Sequence, residues 1–153
     1  MTRSSLLLVI GLVLSLVLTA AGPGVNAQFI GGTLPGMAAK SDAHLNLTGP
    51  EAMLFQCRGK ELRIAYQRIN TIEYGQTVSR RYAAAILISP LLLLSKSRRH
   101  FVTIGYVDEE GKQQAIVVRL DKNDIRSVLA SLEARTGRRI EYQDAEARKA
   151  GKG

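Results

Sequence analysis

The sequence has no tryptophan, one cysteine, two histidines and four prolines, and only 5% of its residues are aromatic. Each scarcity narrows the chemistry open to it. Cys57 stands alone, which rules out an intramolecular disulfide. In phase with Met53 and Phe55, it reads as a buried, inert thiol. There is no His-x-x-x-His, Cys-x-x-Cys or Gly-rich phosphate loop. We therefore expect no catalytic residues, no metal and no cofactor, while noting that triads can assemble from distant positions without a local motif. His44 reads as a solvent-side strand residue, and His100, beside Arg98 and Arg99, as part of a basic flank. Asp108, Glu109 and Glu110 form a run that a solvated hairpin turn explains better than a cation site. Tyr74, Phe101 and Tyr106 fall at sheet positions, so no stacking platform for nucleic acid can be assembled, and no nucleic-acid partner is expected.

What is present begins with Met1–Ala27. A basic start at Arg3 precedes an apolar core from Leu6 to Leu18 and a small-residue ending, Val25-Asn26-Ala27. That order is the signature of a secretory signal peptide cleaved after Ala27. The competing reading is a retained N-terminal anchor, because the apolar run approaches the length of a membrane span. Cleavage leaves residues 28–153 with 20 Lys and Arg against 13 Asp and Glu, a net charge of +7. A basic exported protein, periplasmic or extracellular, is suited to anionic lipid, cell-wall polymer or an acidic protein. Residues 28–43, rich in Gly, Ala and Pro, read as a flexible leader, and 143–153 as a disordered tail.

Between them, residues 44–142 alternate as strands do. His44–Thr48, Ala52–Cys57 and Glu61–Tyr66 each place apolar residues two apart, with Arg58-Gly59-Lys60 as a hairpin turn. Phe101–Val107 and Gln113–Leu120 form a second hairpin around Asp108–Lys112. Ile125, Val128, Leu129 and Leu132 then recur at helical spacing. Asp121, Asn123 and Asp124 stand where caps belong, and Gly137 where the helix stops. Ile140–Tyr142 reads as a further short strand. The expected fold is mainly β with one C-terminal helix, in the α+β class: an antiparallel, partly closed barrel capped by an amphipathic helix.

The run AMLFQCRGKELRIAYQRINTIEY from Ala52 to Tyr74, then HFVTIGYVDEEGK from His100, a strand, and Asp121–Thr136 as closing helix, resembles the pleckstrin-homology superfold. The likeness is to its short bacterial and GRAM-like variants, over His44–Tyr142. It implies a scaffold that binds lipid or protein and does not catalyse. The first inter-strand turn, Thr48-Gly49-Pro50-Glu51, lacks the cations with which many relatives hold inositol phosphates, so no such site is carried over.

One segment departs from this pattern. Tyr82–Leu94 is an apolar block flanked by Arg80 and Arg81 before it and Lys96, Arg98, Arg99 and His100 after it. Thirteen residues rise only about 20 Å as a helix, short of the roughly 30 Å hydrocarbon core. Pro90 interrupts the block as well. Three readings remain open. The block is buried in the core; or Leu91, Leu92, Leu93 and Leu94 dip into a lipid interface while the cations meet anionic headgroups; or it forms a protein or self-association surface. The function expected is that of a non-catalytic, peripheral membrane-associated binding module. The alternatives are a protein-interaction or self-assembly module with the segment buried, and an enzyme of unrecognised type.

Overall fold

The computed structural model describes residues 24–78 and 99–152. They form eight strands and two helices. The strands are β1 (Val25–Gly32), β2 (Ser41–Asn46), β3 (Ala52–Cys57), β4 (Lys60–Ala65), β5 (Ile69–Gly75), β6 (His100–Val107), β7 (Gln113–Leu120) and β8 (Glu141–Tyr142). The helices are α1 (Ile125–Thr136) and α2 (Ala145–Lys152). A single 3-10 turn, Tyr66–Arg68, joins β4 to β5. All strands belong to one sheet of order β4-β3-β2-β1-β7-β6-β5-β8. Every pairing is antiparallel except β5 with β8. The sheet is open, with β4 and β8 at its edges, and the fold is mainly β in the α+β class, as the alternation predicts.

The hairpins form for the reasons their turns supply. Arg58 and Gly59 both adopt positive φ, 50° and 77°. That is the primed two-residue turn whose twist matches the flanking strands. It pairs Cys57 with Lys60 and sets the whole β3–β4 register. At the β6–β7 turn the Asp108 carboxylate accepts hydrogen bonds from the Glu110 and Lys112 backbone and from the Gln114 side chain, at 3.0, 2.8 and 2.7 Å. These bonds hold that carboxyl below its usual range.

Inward-facing residues of β1 to β7 meet the α1 stripe in one core. Leu45, Met53, Phe55, Ile72, Tyr74, Val102, Ile104, Ile116 and Leu132 have no solvent exposure. Cys57 is buried among them, and burial pushes its thiol pKa up. Gly137, at φ 67°, ends α1 by donating its N–H to the Glu133 carbonyl. Opposite pleat positions on β1, β6 and β7 carry a smaller buried cluster of Ile30, Phe101, Ala115 and Val117, joined by Val78.

Several boundaries differ from expectation. Residues 28–43 are not a flexible leader: most of β1, the whole β1–β2 connection and the first residues of β2 lie there, and β1 pairs with both β2 and β7. Gly31 and Gly32 hid the strand from the sequence pattern, since β1 crosses a register shift between Phe29 and Gly31. β1 also takes in Val25, Asn26 and Ala27, so cleavage after Ala27 leaves Gln28–Gly32 to hold the strand. The tail is not disordered either. α2 occupies Ala145–Lys152, and its Ala147 is fully buried against the core. Asp144 caps it, accepting the Ala147 N–H at 2.6 Å. The C-terminal helices thus number two. At α1, Asp124 occupies the N-cap position without a side-chain bond, and Asp121 instead folds the preceding turn by accepting the Asn123 N–H.

Candidate functional site

Of the residues singled out beforehand, Arg80, Arg81, Leu91, Leu92, Leu93, Leu94, Lys96 and Arg98 lie outside the described residues. Arg99 and His100 are described. With Thr77 and Val78, they form the two roots of the β5–β6 connection.

The sheet register decides what surrounds the Arg99–His100 root. The β6–β7 hairpin places His100 opposite Leu120, and β1 places Ala27 opposite the same residue. Three strand ends therefore converge. They form a groove of about 580 Å³ walled by Asn26, Gln28, Asp42, Arg99, Arg119 and Lys122, with His100 and Asp121 beside them. A smaller hollow of about 340 Å³ adjoins it, shares His100 and Lys122, and adds Arg126 from the first turn of α1. Four cations, Arg99, Arg119, Lys122 and Arg126, thus line this end against two carboxylates, Asp42 and Asp121. A surface of that balance attracts anions.

Both roots are held firmly. The Tyr74 hydroxyl and His100 Nδ1 are 2.5 Å apart, and their rings lie within 5° of parallel. Tyr74 also meets Tyr142 edge-on, at 6.2 Å between ring centroids. Arg148 and Lys152 of α2 lie over the other ring, 6.0 and 5.9 Å from its centroid. Burial, then the nearby Lys122 ammonium, hold His100 below its ordinary pKa, while Asp121 opposes them. His100 therefore serves as a structural, neutral-favouring imidazole, in place of the extra cation the sequence suggested. Burial raises the Tyr74 pKa, which keeps its hydroxyl proton available.

At the other root Gln143 acts as a clasp. Its side-chain amide donates to Glu73 and to the Thr77 carbonyl, at 3.0 and 2.9 Å, and its oxygen accepts from the Thr77 hydroxyl. Its backbone N–H bonds the Tyr74 carbonyl. Gly75 makes room for this clasp, since a Cβ at that position would push the end of the Gln143 side chain aside.

Sequence reasoning missed Arg119, Lys122 and Arg126. The signal was available. Counting back from the Asp108–Lys112 turn pairs Phe101 with Arg119, and so brings the end of β7 to the root. His44 is half-buried, with Nδ1 3.3 Å from Asn26 Oδ1. No protein-family model matches the chain, and no curated protein proves similar to it.

Proposed function

We propose that this protein is an exported, non-catalytic binding module of pleckstrin-homology-like build that docks peripherally on an anionic lipid surface. Segment 80–100 makes the contact: Leu91–Leu94 enter the interface while Arg80, Arg81, Lys96, Arg98 and Arg99 meet the headgroups. One observation carries this reading. The second root of the basic-flanked apolar segment, Arg99 and His100, emerges beside Arg119 of β7, Lys122 of the β7–α1 connection and Arg126 of α1. Recruitment of separate elements to one basic end exceeds what solubility alone requires. The pleckstrin-homology-like part is supported by two successive antiparallel runs, β1–β4 and β5–β7, followed by a helix.

The test is co-sedimentation with vesicles. Pure phosphatidylcholine vesicles should leave the protein in solution, and vesicles rich in phosphatidylglycerol should bring it down at low salt. Binding should weaken as salt rises, since the attraction is screened. Leu91→Asp with Leu93→Asp should abolish it. Failure to bind anionic vesicles at low salt overturns the proposal.

A second reading places the same segment against a protein surface. The smaller cluster favours it, because Ile30, Phe101, Ala115 and Val117 are apolar and buried at pleat positions facing away from the main core. On that reading the double aspartate variant lowers stability or changes oligomer size, and leaves vesicle partition untouched.

A further inference from the structure

β4 is an edge of the sheet, paired with β3 on one side only among the described residues. Such an edge is a template for another strand. Which of its backbone groups are free follows from the hairpin. In the turn at Arg58-Gly59, Cys57 and Lys60 close the loop as a bonded pair. Bonded pairs then recur at every second residue. The series ends with the Tyr66 N–H donating to the Glu51 carbonyl at 2.9 Å, in the same phase. Lys60, Leu62 and Ile64 therefore turn their backbone groups toward β3, and Glu61, Arg63 and Ala65 turn theirs toward the open edge.

The side chains have their own parity. Glu61 and Arg63 are exposed on the outer face, while Leu62 is half-buried and Ile64 buried on the inner one. Two copies meeting antiparallel along β4 with two-fold symmetry must place one residue on the axis. With Glu61 or Arg63 on the axis, identical charges stand directly opposite. With Leu62 on the axis, Glu61 faces the second copy's Arg63, and Arg63 faces the second copy's Glu61. These residues also carry the edge-facing backbone groups, so each facing pair is a hydrogen-bonded pair. Opposite charges across a strand pair attract and like charges repel. A single register thus satisfies the main chain and the charges together.

The inner side agrees. A groove of about 490 Å³ runs beside β4, its floor including Leu34, Leu62, Ile64 and Tyr106 and its rim Glu51, Arg63, Arg68, Asp108 and Glu109. The Tyr106 hydroxyl is buried there without a hydrogen-bond partner among the described residues, and burial pushes its pKa up to about 12. Pairing about Leu62 sets the two half-buried leucines side by side on this inner face. The present partners of the charged residues are replaceable: Arg63 lies 3.6 Å from Glu51 in an exposed ion pair, and Glu61 accepts from Gln56 at the surface.

We propose that β4 is a homodimerisation edge, along which two copies pair antiparallel about Leu62 with Glu61 opposite Arg63. This stands independently of the lipid reading, since it uses a different edge and different residues.

Sedimentation velocity on the purified full chain, held in a mild non-ionic detergent, tests it. The wild type should form a dimer that dissociates on dilution. Glu61→Arg alone and Arg63→Glu alone should each weaken dimerisation about tenfold or more, because two attractive pairs become repulsive. The double exchange should restore it. Amide hydrogen exchange on the wild type gives a second measure that needs no variant. The Glu61 and Arg63 amides should slow as concentration rises, while Leu62 and Ile64 stay protected throughout. A monomer up to hundreds of micromolar overturns the proposal. So does a dimer indifferent to both reversals, a double variant that fails to recover, or edge amides whose exchange ignores concentration.

Discussion

His100 shows how one residue can be misjudged by its neighbours in sequence. Beside Arg98 and Arg99 it looks like a cation, yet its ring lies nearly coplanar with that of Tyr74 and its Nδ1 faces the Tyr74 hydroxyl. The charged groups around it are Lys122, Asp121, Arg99 and Arg126. Because its folded pKa is lowered, the unfolded chain takes up a proton first as pH falls through about 6.5. Stability from the neutral ring is therefore fully present above that pH and is lost below it, down to the folded value. Urea unfolding at pH 7.5 and 5.5 should show a lower midpoint at the acidic pH, and His100→Gln should flatten that difference. Gly75 makes a second case at this scale. Gly75→Ala pushes against the Gln143 clasp and should lower the thermal midpoint, whereas Gly111→Ala, which meets nothing in the folded chain but sits at φ 79°, should show only backbone strain of about 1 kcal/mol.

At the level of elements, α1 and α2 divide the labour of closing the core. Leu132 is fully buried in the α1 stripe, so Leu132→Ala should cost about 2–5 kcal/mol in chemical denaturation, depending on how far the site collapses. Deletion of Ala145–Lys152 uncovers Tyr142 and removes Ala147 from the core, and should lower the thermal midpoint measurably. A truly disordered tail would leave it unchanged. These two helices also show what was legible. α1 declared itself because four apolar residues recur at helical spacing across about two turns. α2 did not, because its buried face is essentially one alanine, Ala147, in a polar and Gly-containing stretch. The same holds for strands. β3 and β4 were readable from their alternation, and β6 and β7, though buried on both faces, from their β-branched and aromatic residues, whereas β1 is interrupted by Gly31 and Gly32 and draws its stability from pairing on both sides. The site was half legible. Its apolar segment stands out in the sequence, but the cations that join it come from β7, the β7–α1 connection and α1, and only the strand register brings them to Arg99.

For the whole molecule, the question is whether net positive charge acts as diffuse solubility or as a located device. The chain carries an excess of +8, which would serve either purpose if spread evenly. Lys122 and Arg126 separate the two. Both are exposed, and both flank the hollow at the His100 root. They lie outside the apolar segment, so changing them leaves its leucines intact. If the basic end meets a lipid surface, each contributes about 1 kcal/mol, and Lys122→Ala with Arg126→Ala should weaken binding to phosphatidylglycerol-rich vesicles about thirtyfold. The loss should shrink as salt rises toward 0.5 M, because screening removes the attraction from wild type and variant alike. A matched control, Lys60→Ala with Arg58→Ala at the β3–β4 turn, removes the same charge from a different place and should change binding far less. Equal losses in the two variants would mean that net charge alone drives association, and the basic end would then have no special role.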